Sequence, residues 1–344
     1  MNKVIPVILC GGFGKRLWPL SNLNKPKQFL KIPSNSKMTL FQNTILRFKA
    51  KKFTKPIIIC SEVHKFLVSE QLSQINVKPL EIIIEPTSKN TSASVCLSLI
   101  IAKEKFNAQN LLISSSDHLI DGINFDSLLP EHLLSPINYH LIFGIKPNSP
   151  DTNFGYIETI FNKNKSFFNV KNFHEKPNLI RARKYFNQKN FYWNSGIFFL
   201  NASFTLNEFK KFNYKVYYHT KKSIEKSGYD LTYLKIDKNQ FSKLPNSQFD
   251  KSILEKSDDI KMLELKNKWV DIGNWKNFFQ LENSVLKKEE NKIENNVINS
   301  EVYSNSKFTI LNDIQNLIVI NKNNSLLISS KKNIHDVNRL LSNN

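Results

Sequence analysis

Short apolar runs alternate with longer helical patterns through the first half of the chain. Each run is rich in branched residues, which is typical of strands buried on both faces. The runs are VIPVIL (4–9), KPIIIC (55–60), LEIIIEP (80–86), NLLISSSDH (110–118) and YHLIFGIKP (139–147). Helical patterns at 61–75 and 90–106 open with Ser61 and with Asn90 or Thr91 as candidate caps. This alternation predicts an α/β fold with a doubly wound, mainly parallel sheet, which binds ligands beyond the carboxyl ends of its strands.

The second half has a different rhythm. Strand-like pieces lie at 154–160, 167–177 and 194–200, with helical patterns at about 178–189 and 203–226. After Trp275 a segment rich in lysine and glutamate predicts a helix that runs into a linker. Short strands separated by polar turns then occupy 297–335, as in a β-solenoid or a meander of hairpins. We therefore predict a catalytic domain over 1–285 and a small C-terminal β-solenoid over 291–344.

The composition excludes several classes of protein. The net charge is +20, but the lysines are spread along the chain and aromatic stacking platforms are missing, so an anionic small substrate is favoured over nucleic acid. The three cysteines, Cys10, Cys60 and Cys96, lack metal-ligand spacing and lie in or beside apolar runs, which predicts buried thiols in a reducing compartment. No apolar run approaches the roughly 20 residues of a membrane helix. We expect a cytoplasmic protein that does not bind membranes.

Residues 10–29, CGGFGKRLWPLSNLNKPKQF, form a basic, glycine-rich loop behind the first strand. The loop lacks the spacing of a P-loop, and Pro19 and Pro26 interrupt the helix that a dinucleotide turn needs. Without side chains, its glycines let backbone amides approach a phosphate chain. Its candidates for nucleotide binding are Gly11, Gly12 and Gly14, with Arg16 and Lys27 as fixed positive charges. A tight turn with solvated basic residues is the alternative.

Two aspartates stand out as candidate metal ligands. Asp117 follows a predicted strand and should share the sheet edge of the glycine-rich loop, although a strand-end aspartate can also cap a helix or form a turn. Asp271 lies in WVDIGNW (269–275). Two carboxylates with water and phosphate oxygens suit Mg²⁺, whereas no cluster of histidines or cysteines indicates zinc.

The loop at 11–29 resembles the signature loop of sugar-1-phosphate nucleotidylyltransferases, and its WPLS and PKQF portions are similar to bacterial mannose-1-phosphate guanylyltransferases. Six more segments match in order and spacing: EPTSKNTSAS (85–94), SSDH (115–118), FGIKPNSPDTNFGYI (143–157), FHEKP (173–177), YWNSGIFFL (192–200) and WVDIGNW. The resemblance runs from residue 3 to about 335. It implies a Rossmann-like, GT-A-like domain that transfers GMP from GTP to mannose 1-phosphate and releases pyrophosphate.

The resemblance also implies a role for each candidate. Asp117 and Asp271 would hold Mg²⁺, Lys176 would meet the sugar phosphate, and Arg16 with Lys27 would bind the leaving pyrophosphate. The implied sugar-binding residues are Gly155, Glu175 and Asn194. The implied nucleotide-binding residues are Gly11, Gly12, Gly14, Glu85, Asn90 and Thr91.

Some positions depart from the family pattern, among them Phe13, Lys15, Asn22 and Asn153. They leave open a sister enzyme with another hexose 1-phosphate or base. A silent regulatory subunit and a nucleic-acid binder are more distant alternatives. Longer relatives carry an added phosphomannose isomerase domain, so no isomerase activity is expected here, and the C-terminal β unit is a candidate homodimer surface.

Overall fold

The computed structural model describes residues 3–12, 17–135, 137–160, 167–282, 292–306, 308–322, 324–334 and 337–342. Gly14 and Arg16, with the departures at Phe13 and Lys15, lie outside these residues.

The strands are β1 (Ile5–Leu9), β2 (Ile57–Ser61), β3 (Glu81–Glu85), β4 (Asn110–Ser115), β5 (His118–Ile120), β6 (His140–Ile145), β7 (Tyr156–Ile160), β8 (Phe168–His174), β9 (Phe191–Asn201), β10 (Gly228–Asp230), β11 (Tyr233–Lys235), β12 (Ile260–Glu264), β13 (Trp269–Asp271), β14 (Lys292–Ile298), β15 (Glu301–Ser304), β16 (Thr309–Gln315), β17 (Leu317–Lys322) and β18 (Ser325–Ser330). The α-helices are α1 (Leu40–Leu46), α2 (Lys65–Gln74), α3 (Thr91–Phe106), α4 (Phe125–Leu128), α5 (Leu179–Phe186), α6 (Ala202–Phe212), α7 (Tyr214–Glu225), α8 (Lys238–Phe241), α9 (Trp275–Glu282) and α10 (Val337–Ser342).

The chain forms two compact units, each made of separate stretches of sequence. The first unit comprises Met1–Gly11, Thr44–Ser116 and Ile120–Trp269. The second unit comprises Gly12–Asn43, Asp117–Leu119 and Val270–Asn344. The predicted boundary between 285 and 291 falls on residues outside the described part, 283–291, and stays a prediction.

An 11-stranded sheet of order β10-β11-β3-β2-β1-β4-β9-β6-β12-β8-β7 forms the first unit. The strand β1 lies between β2 and β4 and is parallel to both, as the strand–helix alternation predicts. However, β9 is antiparallel to β4, β6 and β7, and β8 is antiparallel to β7 and β12. The α/β class is therefore confirmed, but the sheet is mixed and not mainly parallel. An apolar run predicts that a strand is buried, but it does not predict whether the strand is parallel or antiparallel to its neighbours.

The helix α3 lies at the centre of the core of the first unit. Every residue from Ser92 to Ala102 is buried, and the helix packs against α6 and α7. Its cap is Asn90, whose φ of +65° is in the left-handed region and whose side chain accepts a hydrogen bond from Thr91 N. All three cysteines are buried, as predicted.

The second unit joins the glycine-rich loop to the C-terminal strands through one apolar cluster. Its buried members include Leu17 and Leu20 from the loop, Leu30 just after it, Ile272 just before α9, Trp275 and Phe278 in α9, and Ile318, Ile320 and Leu327 from the C-terminal strands. In the parallel pairs β14–β16 and β15–β17, each paired residue has its partner 17 positions later in the sequence. The side chains of Asn295 and Asn312, which have this separation, are hydrogen-bonded to each other. The strand β18 is antiparallel to β17. Among the described helices, none has the length and apolar character needed to cross a membrane.

Candidate active site

One lysine and two aspartates from distant parts of the sequence meet in the second unit. Lys27 Nζ lies 2.9 Å from Asp117 Oδ2 and 2.9 Å from Asp271 Oδ1. It also donates to Ile272 O at 3.3 Å. Burial lowers the pKa of Lys27, but the two carboxylates outweigh this effect and raise the pKa above its ordinary value. The lysine is therefore charged at neutral pH and bonds both acids.

Short local elements place these three side chains. Asp117 immediately precedes β5 and Asp271 ends β13, and the two strands pair with each other. Lys27 begins a single 3₁₀ turn over Lys27–Phe29, which follows the extended backbone of Pro26. The turn is tied to the start of the glycine-rich loop because Gln28 Nε2 donates to Gly12 O at 3.2 Å.

The acidic group has the donor set for a hard divalent cation. The nearest ligand atoms of Asp117, His118 and Asp271 lie within 4.8 Å of one another. Carboxylate oxygens are the ligands that Mg²⁺ prefers. In this structure the ammonium of Lys27 already bonds both carboxylates, so the two acids are held in one place next to a positive charge. The residues present fit a magnesium ion.

The three predicted sugar-binding residues come together in the first unit. Tyr156 of β7 is paired with both His174 of β8 and Trp193 of β9, so the residues next to these pairs become neighbours. Asn194 N donates to Gly155 O at 2.8 Å. A Cβ added at Gly155 would lie 2.7 Å from Glu175 Oε2 and 3.4 Å from Asn194 Cβ. The close approach of these side chains explains why the position is a glycine.

Glu175 lies in an unusual electrostatic environment. Burial, together with the charge of Asp250, raises the pKa of Glu175 to about 7. The predicted phosphate ligand Lys176 has its Nζ 3.3 Å from Glu175 Oε1, and about half of its side chain is exposed. Its φ of +46° is in the left-handed region, a strained conformation for lysine that is often found at functional turns. Because its pKa is about 7, Glu175 can change protonation state close to neutral pH.

Of the predicted nucleotide-binding residues that the structure describes, Gly11, Glu85, Asn90 and Thr91 belong to the first unit and Gly12 belongs to the second. Glu85 ends β3 and accepts a hydrogen bond from Ser94 Oγ at 2.6 Å. Burial raises the pKa of Glu85 to about 7, against the opposing effect of this bond. Asn90 Oδ1 is used as the cap of α3, and Thr91 Oγ1 accepts from Phe249 N at 2.9 Å. These two side chains therefore already hold structural hydrogen bonds.

Gly11 and Gly12 of the loop have open space beside their α-carbons, as far as the described residues go. Among the described residues, no atom lies within 4 Å of a Cβ built at Gly11 or Gly12. Gly12 has a φ of +96°, which L side chains rarely adopt. A glycine is therefore required at position 12 for its backbone conformation, and both positions let a ligand approach the main chain.

Two acids near the predicted sugar-binding residues were not expected from the sequence. Asp250 Oδ1 accepts from Asn194 Nδ2 at 2.6 Å, and Glu255 Oε1 accepts from Glu175 N at 2.8 Å. Asp250 begins the π-helical turn Asp250–Leu254, and Glu255 follows it. In the segment FDKSILEK (249–256), Asp250 follows Phe249 and Glu255 follows Leu254. An acid next to an apolar residue was the sequence feature that could have indicated these two positions.

The sequence and the fold of this chain are both similar to those of known proteins. The family model described as "Nucleotidyl transferase" matches residues 5–288. The mannose-1-phosphate guanylyltransferase RfbM of Salmonella typhimurium is 32% identical over 348 residues, which cover 98% of this chain and 71% of RfbM. Two crystal structures share the fold. One, reported as a mannose-1-phosphate geranyltransferase from Thermus thermophilus, has a TM-score of 0.77 at 21% identity and covers 100% of this chain and 99% of that one.

The other crystal structure, reported as a mannose-6-phosphate isomerase from Helicobacter pylori, has a TM-score of 0.66 at 27% identity. It covers 78% of this chain and 100% of that one. The match of the family model spans most of the sequence, and RfbM extends the likeness to nearly all of it. The chain therefore belongs to the nucleotidyl transferase family, in its mannose-1-phosphate guanylyltransferase branch.

Proposed function

We propose that this protein transfers GMP from GTP to α-D-mannose 1-phosphate, giving GDP-mannose and pyrophosphate. The observation that carries the proposal is the bonding of Lys27 to both Asp117 and Asp271, three charged groups in the second unit that suit metal-assisted phosphate chemistry. The choice of sugar and base is supported by the 32% identity to RfbM.

The reaction is an in-line displacement that needs no covalent enzyme intermediate. A phosphate oxygen of the sugar forms a bond to the α-phosphorus of GTP, while the bond from that phosphorus to the bridging oxygen breaks and pyrophosphate departs with the electron pair. The obstacle is repulsion between two anions, about 4 kcal/mol for each pair of unit charges at about 4 Å and an effective dielectric near 20. The protein lowers this barrier by positioning the reactants and by neutralising charge.

Basic residues of the chain supply most of that neutralisation. Lys176 binds the phosphate of the sugar, and Lys27, together with Arg16, stabilises the leaving pyrophosphate. Asp117 and Asp271 would hold a magnesium ion, which would supply further neutralisation of phosphate charge. Lys27 has the further role of keeping the two aspartates together, since it bonds both.

Recognition of the sugar and the base is assigned mainly to partly buried carboxylate and amide side chains. Glu175 binds hydroxyl groups of the sugar, and Gly155 gives the sugar access to the main chain. The amide of Asn194 donates one N–H to Asp250 and accepts one hydrogen bond from Gly196 N. Counting the bonds to described residues, its second N–H and its second lone pair remain for hydroxyl groups of the sugar. Glu85, at the end of β3, is the proposed contact to the base, and Gly11, Gly12 and Gly14 with Asn90 and Thr91 complete the nucleotide site.

The C-terminal strands carry two further proposals. The parallel pairs with a 17-residue offset are consistent with one coil of a small β-solenoid, which β18 would close. Formation of a homodimer through this unit stays a prediction, and the mass of the protein in solution tests it.

The decisive experiment is a measurement of pyrophosphate release from GTP and mannose 1-phosphate, with and without Mg²⁺. We expect turnover that depends on both substrates and on the metal. Replacing GTP by ATP, UTP or dTTP, and mannose 1-phosphate by other hexose 1-phosphates, separates the sister enzymes. Because one structural neighbour is reported as a mannose-6-phosphate isomerase, conversion of mannose 6-phosphate to fructose 6-phosphate is measured in parallel. A protein with no transferase activity in the whole panel would contradict the proposal.

A further inference from the structure

A single turn in the first unit connects the proposed nucleotide segment to the proposed sugar site. At its start, Phe249 N donates to Thr91 Oγ1 at 2.9 Å. Within it, Ser252 Oγ is bonded to Ser92 Oγ at 2.8 Å. The next residue after Phe249 is Asp250, whose carboxylate faces Asn194. The position of Asp250 is therefore fixed by bonds to the N-terminus of α3.

Asp250 determines the orientation of the Asn194 amide. Asn194 Nδ2 donates to Asp250 Oδ1 at 2.6 Å, and Asn194 Oδ1 accepts from Gly196 N at 3.2 Å. Turning the amide by half a rotation would place its carbonyl oxygen against the carboxylate and its N–H groups against the N–H of Gly196. Both contacts would be repulsive, so one orientation is selected, and the amide presents a fixed donor and a fixed acceptor.

The charge of Asp250 also acts on Glu175. The carboxylate of Asp250 is one of the causes, after burial, of the raised pKa of Glu175. Other charged groups facing Glu175 are Lys176, which lowers its pKa, and Glu255, which raises it. Asp250 therefore influences two of the three proposed sugar-binding residues without belonging to the predicted set.

We infer that Asp250 is a positioning residue for the hexose: it locks the amide of Asn194 in the orientation that selects the hydroxyl groups of the sugar. This inference rests on the proposed function, because it assumes that Asn194 contacts the sugar. It adds a specificity-determining residue, and it predicts that Asp250 affects the sugar phosphate far more than GTP.

The test compares Asp250→Ala and Asp250→Asn with the wild-type protein. Steady-state kinetics give separate KM values for mannose 1-phosphate and GTP, and calorimetric titration of mannose 1-phosphate gives its Kd without turnover. Asp237→Ala is the matched control, because Asp237 Oδ1 also accepts one hydrogen bond, from Gln240 N at 2.8 Å, as the cap of α8. Thermal unfolding of all variants separates a loss of stability from a loss of recognition.

For Asp250→Ala we expect the KM and Kd for mannose 1-phosphate to rise by about tenfold or more, as for loss of a charged hydrogen bond, with the KM for GTP within about twofold of wild type. Asp250→Asn keeps an acceptor oxygen and should recover most of the affinity. Asp237→Ala should leave both KM values unchanged. In Asn194→Ala/Asp250→Ala the loss of affinity should be clearly smaller than the sum of the two single losses, because Asp250 acts mainly through Asn194.

Equal changes in the two KM values of Asp250→Ala, or unchanged affinity for mannose 1-phosphate, would overturn the inference. Additive losses in the double variant would overturn it as well. Failure of the proposed function has a different signature: the wild-type protein itself would neither turn over nor bind mannose 1-phosphate. If wild type prefers another hexose 1-phosphate, the same comparison is made with that sugar, and the expected pattern is unchanged.

Discussion

Lys27 Nζ and Asp271 Oδ1 lie 2.9 Å apart, although 244 residues separate them in the sequence. The same ammonium is 2.9 Å from Asp117 Oδ2. A lysine that bonds two aspartates leaves a net charge of −1 on the three groups, which suits a second cation.

Lys27→Met should leave two adjacent carboxylates without their cation. We expect turnover to fall by about 100-fold or more, and stability in chelator to fall by about 1–3 kcal/mol, less than for a fully buried pair. Added Mg²⁺ should then raise the melting temperature of the variant more than that of wild type. Lys25→Met, an exposed lysine on the same loop, is the control and should behave as wild type. Equal effects of Mg²⁺ on both proteins would argue against the role of Lys27 in holding the aspartates.

Asp271→Asn should remove a proposed metal ligand with little change in shape. Turnover should fall by about 100-fold or more, because the variant lacks a charge that would hold the proposed metal and stabilise the transition state. Circular dichroism should show an intact fold, and a titration with Mg²⁺ should show weaker activation. Asp313→Asn, an exposed aspartate of the C-terminal strands, is the comparison. Full activity of Asp271→Asn would exclude Asp271 from the metal site.

Gly155→Ala should disturb the proposed sugar site directly. The new methyl group would lie 2.7 Å from Glu175 Oε2 and 3.1 Å from Phe173 Cζ, so Glu175 must move. We expect the KM for mannose 1-phosphate to rise by about tenfold, as for loss of one hydrogen bond to a charged group, with little change in the KM for GTP. Gly228→Ala is a suitable control, since no described atom lies within 4 Å of its added Cβ. An unchanged KM for the sugar phosphate would separate Gly155 from recognition.

Glu85 should make stability fall as the pH rises. Its pKa is raised from 4.5 to about 7 by burial, so between these values the folded protein keeps a proton that the unfolded chain has released. The unfolding free energy should therefore decrease across this interval and level off above it. Glu85→Gln should remove this dependence and be about 1–3 kcal/mol more stable than wild type at pH 8.

Chemical denaturation of wild type and Glu85→Gln at a series of pH values measures that difference. Glu70→Gln changes an exposed glutamate and serves as the reference. A constant difference between the wild type and Glu85→Gln from pH 4 to pH 8 would mean that Glu85 ionises normally.

Glu282 should be a stability residue of the second unit. It is buried, and its two carboxylate oxygens accept from Ser34 N and Ser34 Oγ, both at 2.7 Å. Glu282→Ala leaves both donors without their partner and should cost about 2–4 kcal/mol of unfolding free energy. Glu282→Gln keeps one acceptor oxygen and should cost less. Denaturation curves that coincide for all three proteins would refute this assignment.

The family resemblance, together with the strand-end position of Asp117, predicted that the two aspartates belong to one site. Asp117 and Asp271 were expected together because both belong to recognisable motifs, and they do meet. The antiparallel direction of β9 was beyond such reasoning, since the burial of a strand does not depend on its direction. Asp250 was also missed, because its proposed role depends on one contact with Asn194 across 56 residues of sequence. Local patterns contain no information on such pairs.

The apolar cluster that includes Leu20, Ile272 and Ile320 has a practical consequence. A protein shortened near residue 285 would retain every predicted catalytic side chain, yet the glycine-rich loop would lose part of the hydrophobic support beneath it. Such a fragment should be a poor enzyme for reasons unrelated to its chemistry. Efforts to crystallise or redesign this protein should therefore keep the C-terminal strands attached.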